Sequence, residues 1–240
     1  MRMTMGIRLG AFLLPCALAA PALAQPAIPP VAYPAIAETA HTAFDFVPEG
    51  WRVEVLREGD LDADGKDDIA AVLRMRDPAN VLANPLLGED PFDTNPRILL
   101  VALREGDDHF RRVLADHVLI PRRENPAQED PFSGIEVRKG VLRVSLENFM
   151  SAGGWATWRT AYAFRWQASR FVLIGYDRSE LARNTGEGQD ISIDYLTGRR
   201  KTVKSQMEGG RQTVGWSMEP RRGPIVLQTI GDGLEWDPDK

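Results

Sequence analysis

The chain has 240 residues, 43% of them hydrophobic, and it carries 29 lysines and arginines against 34 aspartates and glutamates. This length allows one sizeable hydrophobic core or two small ones. The formal net charge of -5 argues against nucleic acid as a partner, because nucleic-acid binding normally needs a basic face. The single cysteine excludes an internal disulfide and a metal site built from several thiolates.

The first 24 residues have the pattern of a secretory signal peptide. Two arginines precede an apolar stretch at 11–20 that is too short to span a bilayer, and residues 22–24 (Ala-Leu-Ala) match a cleavage site. Cleavage before Gln25 would remove the only cysteine, and it would move the formal net charge from -5 to -7 because two arginines and no acid are lost. We therefore expect a periplasmic or secreted protein with no membrane span after signal removal.

Residues 25–49 are rich in proline and alanine and predict an extended leader. Within this leader, the stretch 36–44 is compatible with a short helix that ends before the Pro-Glu-Gly sequence at 48–50. From Trp51 onward the apolar residues mostly alternate with polar ones, which is typical of half-buried strands. The segment 68–74 is more continuously apolar, as expected for a central strand.

Between the first two predicted strands, five aspartates fall within the nine residues 60–68. Oxygen ligands at alternate positions can wrap a hard cation, and Ca²⁺ takes six to eight oxygens. The predicted ligands are the side chains of Asp60, Asp62, Asp64 and Asp68 and the backbone carbonyl of Lys66. Gly65 allows the tight turn that this wrapping needs. We predict Ca²⁺ rather than Mg²⁺, because the ligand count is high and the loop is flexible, with a structural role.

This loop is not an EF-hand, because the position that needs a bidentate glutamate is Ala71 and the flanking segments alternate as strands. The ion would therefore sit in a strand–loop–strand unit. The alternative is an acidic surface turn that binds nothing. Carboxylates held at short range without a cation repel one another by several kcal/mol, which makes an empty site costly.

The segment 59–70 (Gly-Asp-Leu-Asp-Ala-Asp-Gly-Lys-Asp-Asp-Ile-Ala) resembles the core of the FG-GAP/VCBS repeat family, the calcium-loop repeats of integrin-type propellers. The resemblance implies a strand on each side and Ca²⁺ held by the ligands named above. This chain has one copy, whereas the family normally carries the repeat in series, so a complete propeller is not implied. The segment 155–176 is also similar to small exported bacterial proteins with a single such loop, and no activity follows from that likeness.

Two irregular, proline-containing segments, 77–97 and 121–134, interrupt the strands, and loops of this length are often functional or mobile. The second half then reads as hairpins over 135–147, 157–177 and 189–204. Short strands at this spacing predict an all-β protein. About a dozen strands are too few for the four or more blades of a propeller. We expect a single domain over 50–240, with antiparallel hairpins in a sandwich or a strongly curved propeller-like meander and little helix.

One face of the strand at 158–166 carries an aromatic stripe, made of Trp158, Thr160, Tyr162, Phe164 and Trp166. Exposed, the stripe would be a stacking platform for sugars or a partner protein. Buried, it would form the inner face of a sandwich. We favour the buried arrangement, because burying such side chains is worth about 1.5–3 kcal/mol each. Phe171 and Leu173 on the next strand would extend the same face.

The sequence has no recognisable catalytic motif, and its three histidines are scattered. The acids to examine for glycoside hydrolysis are Glu136, Glu147 and Asp177. We expect a non-enzymatic, calcium-binding β protein that binds an envelope protein or glycan. The alternative is a small periplasmic hydrolase that acts on envelope glycan or peptide through its carboxylates.

Overall fold

The computed structural model of the chain describes residues 27–220 and 223–240. The predicted signal peptide, with its cleavage site and the cysteine, lies outside this range. Among the described residues, no helix is long and apolar enough to cross a membrane.

The described chain is built from strands and three short 3₁₀ turns. The strands are β1 (Thr39–Ala40), β2 (Trp51–Gly59), β3 (Asp68–Met75), β4 (Val81–Leu82), β5 (Phe92–Asp93), β6 (Arg97–Glu105), β7 (His109–Asp116), β8 (Phe132–Arg138), β9 (Val141–Asn148), β10 (Ala156–Gln167), β11 (Arg170–Ala182), β12 (Glu187–Asp194), β13 (Arg199–Gln206) and β14 (Gln212–Met218). The 3₁₀ turns are Ala43–Phe46, Pro78–Asn80 and Leu227–Thr229. The predicted all-β class with little helix is confirmed.

Five strands form one antiparallel sheet in the order β1-β7-β6-β3-β2. In β3, the five residues from Ile69 to Leu73 are at most 1% exposed, because this strand is paired on both edges and packed on both faces. The continuously apolar segment therefore is the central strand that its composition predicts. Strands β4 and β5 form a separate two-stranded pair within the first irregular segment.

Seven strands form a second antiparallel sheet, a meander in the order β14-β13-β12-β11-β10-β9-β8. Its β8–β9 turn has Lys139 at φ 51° and Gly140 at φ 72°, the left-handed conformation that tight hairpin turns require. The three predicted hairpins are confirmed, although their strands extend by a few residues. The edge strand β14 was not predicted, because it is exposed along its whole length and so lacks a buried stripe.

The two sheets share one hydrophobic core, and the aromatic stripe belongs to it. Tyr162 and Phe164 are fully buried, and Phe171 and Leu173 extend the same buried face as predicted. Trp158 and Trp166, at the two ends of the stripe, are half-buried. The buried arrangement that we favour is therefore correct for the middle of the stripe.

The stretch 36–44 is not a helix, contrary to the sequence prediction. It contains β1, whose Thr39 pairs with Arg111 and whose Ala40 pairs with Phe110, and the start of a 3₁₀ turn at Ala43–Phe46. An isolated helix of nine residues is marginal in water, whereas the extended segment gains an edge pairing with β7. It also buries apolar side chains on the outer face of the five-stranded sheet, so these residues share a core with the domain.

A buried ion-pair network closes the end of the five-stranded sheet opposite the aspartate loop. Arg97 is 5% exposed and donates hydrogen bonds to both carboxylate oxygens of Glu54 (2.6 and 3.0 Å) and of Asp130 (2.8 and 2.6 Å). Arg74 pairs with Glu54 at 3.1 Å and with Asp93 at 2.9 Å. Burial raises the pKa of Glu54 and of Asp130, but their bonds to Arg97 outweigh it, and both pKa values lie below their ordinary values.

Candidate metal site

The aspartate loop joins two paired strands. β2 ends at Gly59 and β3 begins at Asp68, and these two residues face each other in the antiparallel register. The loop between them therefore leaves the sheet and returns at the same place. The predicted strand–loop–strand context is present, and the helix–loop–helix context of an EF-hand is not.

Three of the predicted ligands converge on one point. Carboxylate oxygens of Asp60, Asp62 and Asp68 all lie within 4.8 Å of one another. Oxygens bound to one Ca²⁺ lie about 2.3–2.6 Å from it, so two ligands on opposite sides of the ion are about 5 Å apart. The three carboxylates are therefore placed to hold a metal ion.

Asp68 is the fixed part of the site. It is fully buried, and its two carboxylate oxygens accept hydrogen bonds from the backbone N–H of Leu61 (2.7 Å) and of Arg104 (2.8 Å). Burial raises the pKa of Asp68, and the charges of Asp62 and Asp64 raise it further, so that the two backbone hydrogen bonds do not bring it back to its ordinary value. Among the described residues, the Asp68 carboxylate is held by these two N–H groups and forms no ion pair with a cationic side chain.

The loop is curled by hydrogen bonds from its own backbone to its aspartates. Asp60 accepts from the N–H groups of Ala63 (2.7 Å) and Gly65 (3.0 Å), and Asp62 accepts from Asp64 N–H (3.1 Å). Gly65 has φ 85° and Ala63 has φ 68°, so the turn uses the left-handed region twice. Glycine adopts this region freely, whereas alanine is strained there.

Of the other two predicted ligands, the Asp64 carboxylate is not part of this convergence. Asp64 is exposed, and its carboxylate accepts the N–H of Lys66 at 2.8 Å. The Lys66 ammonium extends away to the β6–β7 turn, where it bonds the Gly106 carbonyl at 2.7 Å and pairs with Asp107 at 3.3 Å. Ligation by Asp64 and by the Lys66 carbonyl stays a prediction.

The groups that hold Asp68 in place were not predicted from the sequence. Arg104 lies 36 residues from Asp68, and its backbone N–H reaches the carboxylate because β6 pairs with β3. Its guanidinium also donates to the Asp67 carbonyl at 3.1 Å. No signal in the aspartate loop points to these contacts, since they depend on the pairing of distant strands.

The three acids chosen for hydrolysis lie on the face of the seven-stranded sheet that is turned away from the core. Glu147 and Asp177 line one open groove of about 480 Å³, whereas Glu136 is exposed outside it. Glu147 pairs with Arg159 at 3.0 Å, and Asp177 pairs with Arg143 at 2.9 Å. Both groove carboxylates are therefore engaged by arginines.

Comparison with known proteins gives no further information about this site. Neither protein-family models nor curated proteins nor solved structures give a significant match to the chain.

Proposed function

We propose that this chain is an exported calcium-binding β protein in which Ca²⁺ fixes the β2–β3 hairpin and which binds an envelope protein or glycan without catalysing a reaction. The observation that carries the calcium part is the convergence of the Asp60, Asp62 and Asp68 carboxylates. All three ligands are oxygens, which hard cations such as Ca²⁺ prefer. The loop is of the FG-GAP/VCBS kind in this proposal, and its strand–loop–strand setting supports that assignment.

The role of the ion in this proposal follows from the negative charges of the aspartate loop. Asp68 is buried beside acidic neighbours that raise its pKa, and no cationic side chain of the described residues forms an ion pair with its negative charge. A divalent cation neutralises this charge and joins the start of the loop to the start of β3 through shared ligands. The mature chain proposed here contains no cysteine, and a bound ion is one way to stabilise such an exported protein.

The binding part of the proposal rests on the paired state of the groove acids. A glycosidase needs one protonated and one free carboxylate, whereas Glu147 and Asp177 each lie in an ion pair with arginine. Their presence in one groove nevertheless favours hydrolysis as the second candidate function. Release of reducing ends from envelope glycan by the purified protein, lost in both Glu147→Gln and Asp177→Asn, would establish the hydrolase and reject the binding proposal.

Calorimetric titration of the chelated protein with CaCl₂ tests the calcium site. We expect one binding event, weakened at least about tenfold in Asp60→Asn and Asp62→Asn, because each loses a charged ligand oxygen. Asp190→Asn is the matched control, since this aspartate is exposed on β12 of the other sheet. Absence of binding heat in the unaltered protein would reject the proposal.

Asp64→Asn decides whether the fourth aspartate is a ligand. A loss of affinity equal to that of Asp62→Asn would show that the Asp64 side chain turns inward when the ion binds. A loss no larger than that of Asp190→Asn would limit the carboxylate ligands to Asp60, Asp62 and Asp68.

A further inference from the structure

Strand β14 leaves one edge of the seven-stranded sheet open. Among the described strands it pairs only with β13, and it is exposed along its whole length. An unpaired edge presents a row of backbone N–H and C=O groups to which another strand can add. The open edge of β14 is therefore a candidate docking surface for a strand from another molecule.

The other edges of the two larger sheets carry features that block such pairing. β1 is two residues long, and β2 and β8 each contain charged residues and a break in register, between Val53 and Val55 and between Phe132 and Gly134. Short length, charges and bulges are the usual protections of an edge strand. By contrast, β14 pairs with β13 without a break in register, and residues 212–218 (Gln-Thr-Val-Gly-Trp-Ser-Met) include no charge and no proline.

One side of β14 is also apolar. Val214, Trp216 and Met218 alternate along the strand and are 52%, 61% and 69% exposed. They lie on the side of the sheet turned away from the core, where Arg199 and Lys201 of β13 place their charged groups 4.8 and 5.9 Å from the centroid of the Trp216 ring. A strand added at this edge would bring its own side chains against these three residues.

Two hydrogen bonds establish which backbone groups of β14 face outward. Glu219 N–H donates to the Gly198 carbonyl at 2.8 Å, and Gln206 N–H donates to the Arg211 carbonyl at 3.1 Å. Successive residues of an antiparallel strand direct their backbone groups alternately toward and away from the partner strand. The odd-numbered residues from 211 to 219 therefore face β13, and the even-numbered residues from 212 to 218 point their N–H and C=O groups to the open edge.

A second copy of β14 fits the hydrogen-bonding groups of this edge. When two copies pair antiparallel over their whole length, Gly215 lies opposite Gly215, Val214 opposite Trp216, and Gln212 opposite Met218. Each outward-facing residue is then opposite another outward-facing residue, the arrangement in which antiparallel neighbours exchange two hydrogen bonds. Gly215 lies on the two-fold axis in a non-hydrogen-bonded pair, where the Cα atoms approach to about 4.5 Å, and glycine has no side chain to crowd this approach.

The side chains agree with the same register. Val214 and Trp216 form an apolar cross-strand pair on each side of the axis, and pairs of an aromatic with a β-branched residue stabilise sheets. Just beyond the strand, Arg211 of one copy comes opposite Glu219 of the other, which has the opposite charge and also pairs with Arg200 of its own chain at 3.2 Å. A shift of the register by two residues in either direction removes both matches. The pattern of residues 211–219 is therefore complementary to itself.

We propose that the protein forms a symmetric homodimer by antiparallel pairing of β14 with β14 of a second copy. The two seven-stranded sheets then join into one continuous sheet. Because the interface is isologous, it occupies the open edge of both copies, and assembly stops at two. The self-complementary register favours a second copy over a strand from a different protein.

Cross-linking across the two-fold axis tests the register. In a chain carrying Cys16→Ser, Gly215→Cys should form a disulfide-linked dimer on mild oxidation, because a Cα separation of about 4.5 Å lies within the range of disulfides. The side chain fits, since a Cβ on Gly215 would be 3.9 Å from the Thr202 carbonyl oxygen. Ser217→Cys is the matched control, because the two Ser217 residues are four positions apart along the strands, about 13 Å, which a disulfide cannot span.

Sedimentation equilibrium measures the affinity of the dimer. The unaltered protein should change from monomer to dimer as its concentration rises. Val214→Pro should weaken dimerisation about thirtyfold, because each copy loses one N–H that faces the open edge, and two lost hydrogen bonds have about this effect. Phe44→Asp, at an apolar residue that is 67% exposed in the turn before β2, should leave dimerisation unchanged.

Melting temperatures of dilute, monomeric protein separate loss of the interface from loss of the fold. Val214→Pro removes no hydrogen bond between β14 and β13, whereas Thr213→Pro removes one and should lower the melting temperature more. The proposal is overturned if the unaltered protein stays monomeric at its highest soluble concentration or grows beyond the dimer. It is also overturned if Ser217→Cys cross-links as readily as Gly215→Cys, or if Val214→Pro dimerises as tightly as the unaltered protein.

Discussion

The two ends of β3 gather charged side chains in opposite ways. At its start, Asp68 joins Asp60 and Asp62, and all three carry the same charge. At its end, Arg74 joins a network in which Arg97 is bonded to Glu54 and Asp130. In the network, two arginines are bonded to three carboxylates and offset most of their charge, whereas among the described residues no cationic side chain is bonded to the three loop carboxylates. Charge balance therefore distinguishes a stabilising ion-pair cluster from a site that attracts a cation.

Breaking the Arg97 ion-pair network should have the largest effect on the free energy of unfolding. Arg97→Met leaves Glu54, which is 15% exposed, without its main partner, and removing one member of a buried ion pair typically costs about 3–5 kcal/mol. Urea unfolding of the chelated protein measures the free energy of unfolding. Arg159→Met, which breaks a surface pair with an arginine that is 75% exposed, should cost less than about 1 kcal/mol. Equal losses in the two variants would contradict the distinction between the clusters.

Calcium binding to the aspartate loop should have the next largest effect on the free energy of unfolding. Calcium at one hundred times its dissociation constant should raise the free energy of unfolding by about 2.7 kcal/mol, because the ion binds the folded chain and not the unfolded one. Asp62→Asn should remove most of this gain, while Arg97→Met should retain it, since the network lies at the other end of β3. Urea unfolding with CaCl₂ and with chelator measures both. If CaCl₂ raises the free energy of unfolding of Asp62→Asn as much as that of the unaltered protein, the ion binds elsewhere.

Acidification should remove the contribution of the ion-pair network to the free energy of unfolding. The pKa values of Glu54 and Asp130 are lowered in the folded chain, and those of unfolded Glu and Asp are about 4.3 and 3.9. Their contribution is therefore complete above about pH 5 and is lost as the pH falls through the folded pKa values. Urea unfolding of the chelated protein between neutral pH and pH 3 should show this loss, with a smaller slope in Glu54→Gln. Glu147→Gln, at a surface pair, is the control, and equal slopes in the two variants would argue against the network.

Replacing the strained loop residue Ala63 should have the smallest effect on the free energy of unfolding. Ala63 has φ 68°, and glycine adopts this conformation without the steric cost. Ala63→Gly should raise the free energy of unfolding of the chelated protein by up to about 1 kcal/mol, after the entropy cost of glycine. Lys139→Gly, at φ 51° in the β8–β9 turn, should gain a similar amount. A loss of stability in Ala63→Gly alone would show that the loop does not hold this turn in solution.

The sequence predicts the strands better than the segments at the margins of the sheets. Alternation predicts β9 most clearly, because one face of that strand, with Leu142, Val144 and Leu146, is buried. It fails for β14, which buries no face, and for residues 36–44, where pairing of Thr39 with Arg111 decides the conformation. These failures have one cause, since both segments are fixed by an edge pairing that their own residues do not encode.

The candidate sites show the same limit. The spacing of the aspartates predicts Asp60, Asp62 and Asp68, because a curled loop brings alternate positions together. It does not predict that Arg104 N–H holds Asp68 across the sheet. Likewise, the aromatic stripe is visible in the sequence, but the packing of Trp236 edge-on against Tyr162 and Tyr176 is not. Contacts between distant parts of the chain create both features.

Diffraction from crystals grown with millimolar CaCl₂ tests the metal site most directly. We expect one calcium peak bound by carboxylate oxygens of Asp60, Asp62 and Asp68 at about 2.3–2.6 Å, and no ion in the Arg97 network. Density for water alone among those carboxylates, in a crystal saturated with calcium, would contradict the proposal that an external cation balances the loop.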